Sequence, residues 1–485
     1  MGTASAAGLL NTTLGIGDFI GFDVSNVTVN GIEGGYTVAA TNNFAGGGFG
    51  ETIGGTIDNV TLNELKLVSA DSRAAGFVGC SGPGDLAGSE GLSLHLLGLD
   101  NVLEAKNLLS LGQGVEVRIT NCNVNGIESG FVVQSTHDTA ESDIYNYTAG
   151  GFVAKSNSTY IENSHVHDLY FVRADDKKGY AGGFIGTSEC GGLSDVADEE
   201  SVGKLIQADG LVNAVSYLIP DYTNCTVTYV DGGFVMGDYA GGFVADLESG
   251  TVDNSSRTDD YYAVYNIDRV QGYSYGGGFG GRLVSGALAS AGGGLSVLGR
   301  SGLNLNIGDL LNVANAYIPI VDHAGVYSKN GFTVSAFDVR EDDSYSGSAG
   351  GFAGFMSGAQ ISYSNVNKLK HTVVTPPQDL ESIGAPTYFD SNQSKYSVTG
   401  GRYAGGYVAN MNIGSAAGLG NGLTALGINI GNILSALNVV VSTIEHSDVI
   451  GGAGGFSVLC VGTDSSGAVG MAGGYAGQIS GGHIQ

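Results

Sequence analysis

A short motif of two glycines followed by an aromatic residue recurs along the chain and constrains its fold more than any other feature. One copy reads GYAGGFIG at residues 179–186. Ten copies place their aromatic residues at Phe49, Phe77, Phe152, Phe184, Phe243, Phe279, Phe352, Tyr407, Phe456 and Tyr475. The copies come in pairs, and successive pairs begin about a hundred residues apart, at steps of 103, 91, 109 and 104. Glycines at fixed offsets from apolar residues are typical of stacked structural repeats rather than of a flexible linker.

The motif predicts a tight corner between strands. Stacked strands lie about 4.8 Å apart, so a corner residue faces its own copy in the next repeat, and glycine suits both this close approach and a positive φ. The aromatic residue that follows is expected to point inward and to stack on its equivalents. The best examples of this predicted corner and ladder are Gly182, Gly183 and Phe184; Gly241, Gly242 and Phe243; and Gly350, Gly351 and Phe352.

The segments between the corners predict a mainly β fold. Short stretches such as VRITNCNV (117–124) and FTVSAFDV (332–339) are rich in strand-forming residues. We therefore expect residues 1–485 to form one continuous parallel β-helix, or β-solenoid, which begins and ends within its own repeat pattern as a segment of a larger protein. Related apolar segments, several of them preceded by an Asp or Asn suited to a helix N-cap, predict short helical insertions at about 6–22, 88–115, 192–219, 293–318 and 416–441.

The charge balance excludes some partners. The chain has 47 acidic and 19 basic residues, for a net charge of −28. Nucleic-acid binding needs Lys/Arg clusters, and attraction to anionic lipid needs basic segments, so neither is expected. No apolar run approaches the roughly 20 residues that span a bilayer. The acidity fits a soluble extracellular surface, or alternatively Ca²⁺ binding or a basic partner.

The cysteines predict an oxidising compartment. Cys80 and Cys122 flank one insertion and Cys190 and Cys225 flank the next, in matching sequence contexts. We predict the disulfides Cys80–Cys122 and Cys190–Cys225, with Cys460 left free or paired beyond this segment. The alternative is five reduced, buried thiols.

Few residues suggest chemistry. His165 and His167 lie on one face of a predicted strand, which suits either a metal site or a pair of ladder histidines. Loops that contain Asp175 and Asp176, and Asp342 and Asp343, are candidates for Ca²⁺ binding, with a solvated turn as the alternative. No other cofactor is predicted. Hydrolase, metalloprotease and phosphate-loop motifs are missing, so no catalytic residue is predicted.

The repeated [YT]AGGF[VI][AG] motif, followed by segments such as YIENSHV, TVDNSS and ISYSNV, resembles the GLUG-like repeats of large bacterial cell-surface adhesins. The resemblance covers most of the chain outside the insertions. It implies a right-handed parallel β-helix and a cell-surface location, and it implies no catalytic residue.

These observations favour a non-catalytic, extracellular stalk or adhesin segment that presents loops and insertions for recognition. Its expected partner is a glycan or protein on a host or neighbouring cell, or another copy of itself. Two alternatives stay open: a β-helix that binds or degrades polysaccharide, and a subunit of a self-assembling surface filament or layer.

Overall fold

The computed structural model describes residues 6–7, 22–32, 34–41, 43–83, 116–135, 147–174, 179–190, 219–257, 261–285, 318–336, 338–339, 345–370, 396–414, 441–462 and 470–485. Over these ranges the protein is built from parallel strands in two large sheets, without a helix. A third, two-stranded sheet pairs Asp338–Val339 with Tyr345–Ser346 in antiparallel fashion.

The larger sheet contains 30 of the described strands. They are Ala6–Ala7, Phe22–Asn30, Tyr36–Ala40, Phe44–Gly46, Gly55–Ala70, Arg73–Ala75, Val117–Thr120, Asn123–Gly126, Phe131–Ser135, Tyr147–Gly150, Thr159–Glu162, His165–Ala174, Gly179–Gly182, Asp221–Thr223, Thr226–Gly241, Thr251–Asp253, Tyr262–Tyr265, Arg269–Gly277, Ile320–Asp322, Gly325–Ala336, Ser348–Gly350, Gln360–Ser362, Val366–Leu369, Val398–Gly400, Tyr403–Gly405, Thr443–Glu445, Val449–Gly451, Val458–Cys460, Met471–Gly473 and His483–Ile484.

The second sheet contains nine described strands, and their order in the sheet follows their order in the chain. They are Phe49–Ile53, Val78–Gly82, Val153–Asn157, Ile185–Glu189, Val244–Glu248, Gly280–Val284, Ala353–Ser357, Val408–Asn412 and Ala476–Ile479. Each begins at or immediately after the aromatic residue of one motif copy. Successive copies of the motif therefore lie side by side, in register.

The aromatic residues of these nine copies form one column through the core. From Phe77 to Tyr475 each ring stacks on the next, with centroids 4.7–5.2 Å apart and planes within 13° of parallel. Phe49 meets Phe77 edge-on, at 69°. An additional glycine in FAGGGFG places Phe49 opposite Val78 rather than opposite Phe77, which explains the different angle.

The tenth copy, GAGGFSV, is not part of this column. Phe456 is followed by Val458–Cys460, which belongs to the larger sheet and pairs with Val398–Gly400. Its ring is partly exposed and packs against the edge of the core. This copy therefore fits the motif in sequence but not in position.

The corner glycines are required by space rather than by backbone angle. A Cβ on Gly182 would lie 1.7 Å from the carbonyl oxygen of Ile185, within the same corner. A Cβ on Gly183 would lie 1.9 Å from the carbonyl oxygen of Gly242, in the next repeat. Neither glycine has a positive φ, so the positive φ expected from the sequence does not occur at this corner. The tight turn within the corner excludes a side chain at Gly182, and the close approach between repeats excludes one at Gly183.

A different turn, on the larger sheet, does adopt positive φ. Asn59, Asn121, Asn163 and Asn224 have φ between 48° and 56° there, a conformation that asparagine tolerates better than most residues. Asparagine side chains also bond between repeats, as from Asn224 Nδ2 to Asn163 Oδ1 at 2.6 Å. In later repeats the position is taken by His323, Tyr363 and His446, whose rings stack at 4.8 Å.

The predicted helical insertions lie almost wholly outside the described residues. The main exception is Ala6–Ala7, which forms a short strand paired with Phe44–Gly46 rather than the start of a helix. Several other predicted insertions fall between a strand of the nine-stranded sheet and the next strand of the larger sheet, for example between Gly82 and Val117.

Candidate functional site

Two outward-facing rows of side chains flank the glycine corner and form the best candidate for a binding site. The first, which we call the tyrosine row, consists of Tyr180, Tyr239 and Tyr275, which occupy the same register position in neighbouring strands. The second, which we call the polar row, lies on the nine-stranded sheet and consists of Lys155, Thr187, Asp246 and Arg282, with Phe355 next in register.

The two rows are in contact. The guanidinium carbon of Arg282 lies 5.3 Å from the centroid of the Tyr239 ring, a cation–π distance. The rings of Tyr275 and Phe355 lie 5.5 Å apart. Because the motif turns the chain back sharply at its glycines, it brings a residue before the corner and a residue after it onto one surface.

An ion cluster lies at the centre of the polar row. Arg282 donates from Nε to Asp246 Oδ1 at 2.8 Å and from Nη2 to Asp246 Oδ2, a bidentate pair, and Nη2 also lies 2.8 Å from Glu248 Oε1. Asp246 is only 5 % exposed. Burial raises the pKa of Asp246 to about 6, although its hydrogen bonds to Arg282 act in the opposite direction. Burial disfavours the charged form of Arg282, but its bonds to Asp246 outweigh this effect and raise its pKa.

The tyrosines are partly exposed, and each ring contacts the next. The centroids of Tyr180 and Tyr239 lie 4.8 Å apart, as do those of Tyr239 and Tyr275, with the rings nearly perpendicular. Burial raises the pKa of Tyr180 to about 12 and raises the pKa of Tyr239 and Tyr275 as well. All three hydroxyls are therefore protonated and able to donate at neutral pH.

One buried hydroxyl in the polar row has no partner. Thr187 is 6 % exposed, and its Oγ1 makes no hydrogen bond within the described residues. Its neighbours in the row are satisfied, since Lys155 Nζ pairs with Glu189 Oε2 at 2.8 Å. A buried hydroxyl without a partner costs free energy, so this position favours a ligand or water that supplies one.

These two rows were not predicted from the sequence, although the chain contains a signal for them. Each polar-row residue follows the motif aromatic by three positions, as Asp246 follows Phe243. Tyr180 and Tyr239 each precede the AGG of their copy. The signal is a fixed number of residues between the motif and the row position. The amino acid at that position differs from repeat to repeat, so no single recurring residue type marks it.

The structure places the two predicted histidines on one face of His165–Ala174. Their ring centroids are 6.1 Å apart, and His165 Nδ1 lies 2.8 Å from Thr226 Oγ1. His167 lies in register with Asn125 of the neighbouring strand. Burial, with smaller contributions from His167 and Arg257, lowers the pKa of His165 to about 4. Both side chains thus occupy positions in ladders that asparagine or threonine fills in adjacent strands.

Neither predicted disulfide is present, since all five cysteines are free thiols. Cys80 points outward in the polar-row position of its repeat, 3.2 Å from Arg73 Nη1. Cys122 and Cys225 are buried at the turn that follows the asparagine, where each thiol contacts the carbonyl oxygen two residues earlier. The partners proposed for each disulfide therefore lie in different positions of the repeat. Cys190 is partly exposed and lies one residue beyond the strand Ile185–Glu189, and the Cys460 thiol contacts the Gly401 carbonyl oxygen at 3.3 Å.

In other repeats, serine occupies the position of Cys122 and Cys225. Ser164 Oγ donates to the Glu162 carbonyl at 3.0 Å, and Ser364 Oγ to the Ser362 carbonyl at 2.8 Å. The backbone N–H of Cys122 in turn donates to Ser164 Oγ at 3.2 Å. Cys122 and Cys225 therefore act as small hydrogen-bonding residues of a buried turn.

The Ca²⁺ candidates Asp175, Asp176, Asp342 and Asp343 lie outside the described residues. Within the described ranges, no group of three or more His, Cys, Asp or Glu side chains is placed to hold a metal ion. The same ranges contain no helix long and apolar enough to cross a membrane.

Comparisons of the chain with protein-family models, with curated proteins and with solved structures find no match.

Proposed function

We propose that this chain is a parallel β-solenoid that serves as a non-catalytic, extracellular stalk or adhesin segment. The observation that carries the proposal is the column of nine motif aromatics, in which each repeat stacks in register on the next. Such a stack extends by adding repeats without changing its cross-section. The acidic net charge of −28 supports a soluble, self-repelling surface.

A solenoid is modular, so the proposed architecture can be tested by adding repeats to the chain. Residues 244–279 run from the residue after Phe243 to Phe279 and make up one short repeat. Val244 and Gly280 are register partners, so extra copies inserted after Phe279 preserve the pairing at both junctions. We expect four extra copies to lengthen the particle by about 20 Å, at about 4.8 Å per repeat, with an unchanged cross-section in small-angle X-ray scattering.

A matched control contains the same four segments with their residues shuffled. We expect this control to lose the regular increase in length and to lower the melting temperature. An unshuffled insertion that unfolds the protein, or that widens it without lengthening it, would contradict a solenoid. Surface location is tested separately, because an antibody raised against the segment should label intact cells of the source; labelling only after lysis would contradict it.

Polysaccharide recognition is a second candidate, and the tyrosine row is the observation that favours it. Degradation would add a catalytic role for the carboxylates Asp246 and Glu248. Incubation with soluble polysaccharides, followed by measurement of new reducing ends, separates binding from hydrolysis. Electron microscopy of the same sample tests the filament alternative, which predicts fibres at native protein concentration.

A further inference from the structure

We propose that the tyrosine row and the polar row together bind a single strand of uncharged polysaccharide that runs along the repeat axis, across Tyr180, Tyr239 and Tyr275. This inference assigns a partner to the surface that the stalk would present. It rests on four properties of the two rows.

The first property is regular spacing. The three tyrosine rings follow one another at 4.8 Å, and the ring of Phe355, in the polar row, lies 5.5 Å from that of Tyr275. A small molecule would use one such ring or two. Aromatic rings spaced regularly along one line suit a polymer whose units repeat along the same line.

The second property is internal charge compensation. Lys155 is paired with Glu189, and Arg282 with both Asp246 and Glu248. An anionic polymer would meet these three carboxylates, and a cationic polymer would have to compete with Arg282 for them. A ligand without charge avoids both costs.

The third property is the set of groups that remain available. Tyr180, Tyr239 and Tyr275 are partly exposed, and Thr187 Oγ1 is buried without a partner among the described residues. Saccharides present hydroxyls that both donate and accept, beside apolar C–H surfaces that pack on aromatic rings. The rows offer the matching hydroxyls and rings.

The fourth property argues against a peptide. An extended peptide binds a sheet mainly by adding a strand to a free edge. The strands that hold Tyr180 and Tyr239 are paired with a neighbour on each side, so their main-chain groups are already used. Recognition at this face must therefore use side chains.

Affinity electrophoresis of the intact chain tests the proposal. Native gels are cast with dextran, mannan, galactomannan or xyloglucan, and with alginate as an acidic comparison. We expect at least one of the four neutral polymers to retard the protein and alginate not to do so. Tyr239→Ala should weaken this retardation at least tenfold, because it removes the central ring of the row, whereas Tyr239→Phe should keep most of it.

Tyr327→Ala is the matched control. Tyr327 is also a partly exposed tyrosine that contacts another ring, that of Tyr262, but it lies on a different strand outside the two rows. Its substitution should leave the retardation unchanged. Melting curves of all variants verify folding, and Tyr239→Phe, which retains the ring, reports on the site if Tyr239→Ala fails to fold.

Three results would overturn the proposal: no retardation by any of the four neutral polymers, stronger retardation by alginate, or equal losses in Tyr239→Ala and Tyr327→Ala. None of these results bears on the lengthening of the particle by added repeats, so failure of the binding site and failure of the stalk are distinguishable.

Discussion

The ring of Phe184 lies parallel to the ring of Phe243, with the centroids 5.0 Å and the planes 7° apart, although 59 residues separate them in the chain. Both side chains are fully buried, and each has a second aromatic neighbour in the column. The stack therefore links repeats that differ in length and in the content of their loops.

Removing one ring from the column should cost more than removing a motif aromatic outside it. We expect Phe243→Ala to lower the free energy of unfolding by about 3–5 kcal/mol, because it leaves a cavity between two stacked rings. Phe456→Ala, at a partly exposed site, should cost clearly less. Urea denaturation followed by circular dichroism measures both; equal losses would show that the column has no special role.

Adding a single methyl group at the corner should also be destabilising. Gly183→Ala would place a Cβ 1.9 Å from both the carbonyl oxygen of Gly242 and the hydroxyl of Tyr229, so the neighbouring repeat and this buried tyrosine would have to shift. We expect a loss of about 1–3 kcal/mol, the usual range for overpacking. Gly474 is the equivalent glycine of the last motif copy, and no described atom lies within 4 Å of the place that a Cβ would take there, so Gly474→Ala is the control and should be nearly neutral. Similar melting temperatures for the two variants would refute the spatial argument.

The buried cysteines should tolerate serine. Ser164 and Ser364 occupy the equivalent turn and make the hydrogen bond that the thiols of Cys122 and Cys225 make. Cys122→Ser and Cys225→Ser should therefore change stability by about 1 kcal/mol or less. Loss of a native disulfide would cost about 2–5 kcal/mol. A mass shift on reduction of the native protein, together with the larger loss, would restore the disulfide interpretation.

The sequence was sufficient to predict the parallel, mainly β architecture and the inward direction of Phe184, because both depend on a local motif that repeats. It misassigned Phe456, since GAGGFSV has the right letters but is followed by a strand of the other sheet. It also paired Cys80 with Cys122, because similarity of context cannot show which side of a strand a side chain occupies. Asp246 and Arg282 meet only because residues 36 positions apart become neighbours in register, which no local pattern reveals.

His165 should make the fold sensitive to mild acid. Its pKa is about 4 in the folded protein, chiefly because of burial, whereas a histidine in an unfolded chain titrates near 6.5. Between these values the unfolded chain binds a proton that the folded protein does not. The free energy of unfolding is therefore at its full value above about pH 6.5 and falls as the pH drops towards 4.

The adjacent strand suggests the variant that isolates this effect. Asn123 is the register partner of His165, so His165→Asn places a residue already used in this ladder. We expect the melting temperature of the variant to fall less between about pH 7 and about pH 4.5 than that of the wild type. Parallel curves for the two proteins would assign the acid sensitivity to other groups.

Breaking the ion pair in the polar row should lower the free energy of unfolding strongly, whereas replacing both of its members should lower it much less. Arg282→Met leaves the carboxylate of Asp246, 5 % exposed, without its bidentate partner, and breaking a buried pair in this way costs about 3–5 kcal/mol. Thr187 and Phe355 show that neighbouring repeats fill the same row with uncharged side chains. The double variant Asp246→Thr/Arg282→Met should therefore recover more than half of the lost stability.

A double-mutant cycle measured by urea denaturation gives the coupling free energy between Asp246 and Arg282 directly. Additive losses would mean that Asp246 and Arg282 contribute to the free energy of unfolding independently of each other. Recovery would mean that the fold does not need this pair, which would then be available for recognition at the face it shares with Tyr239.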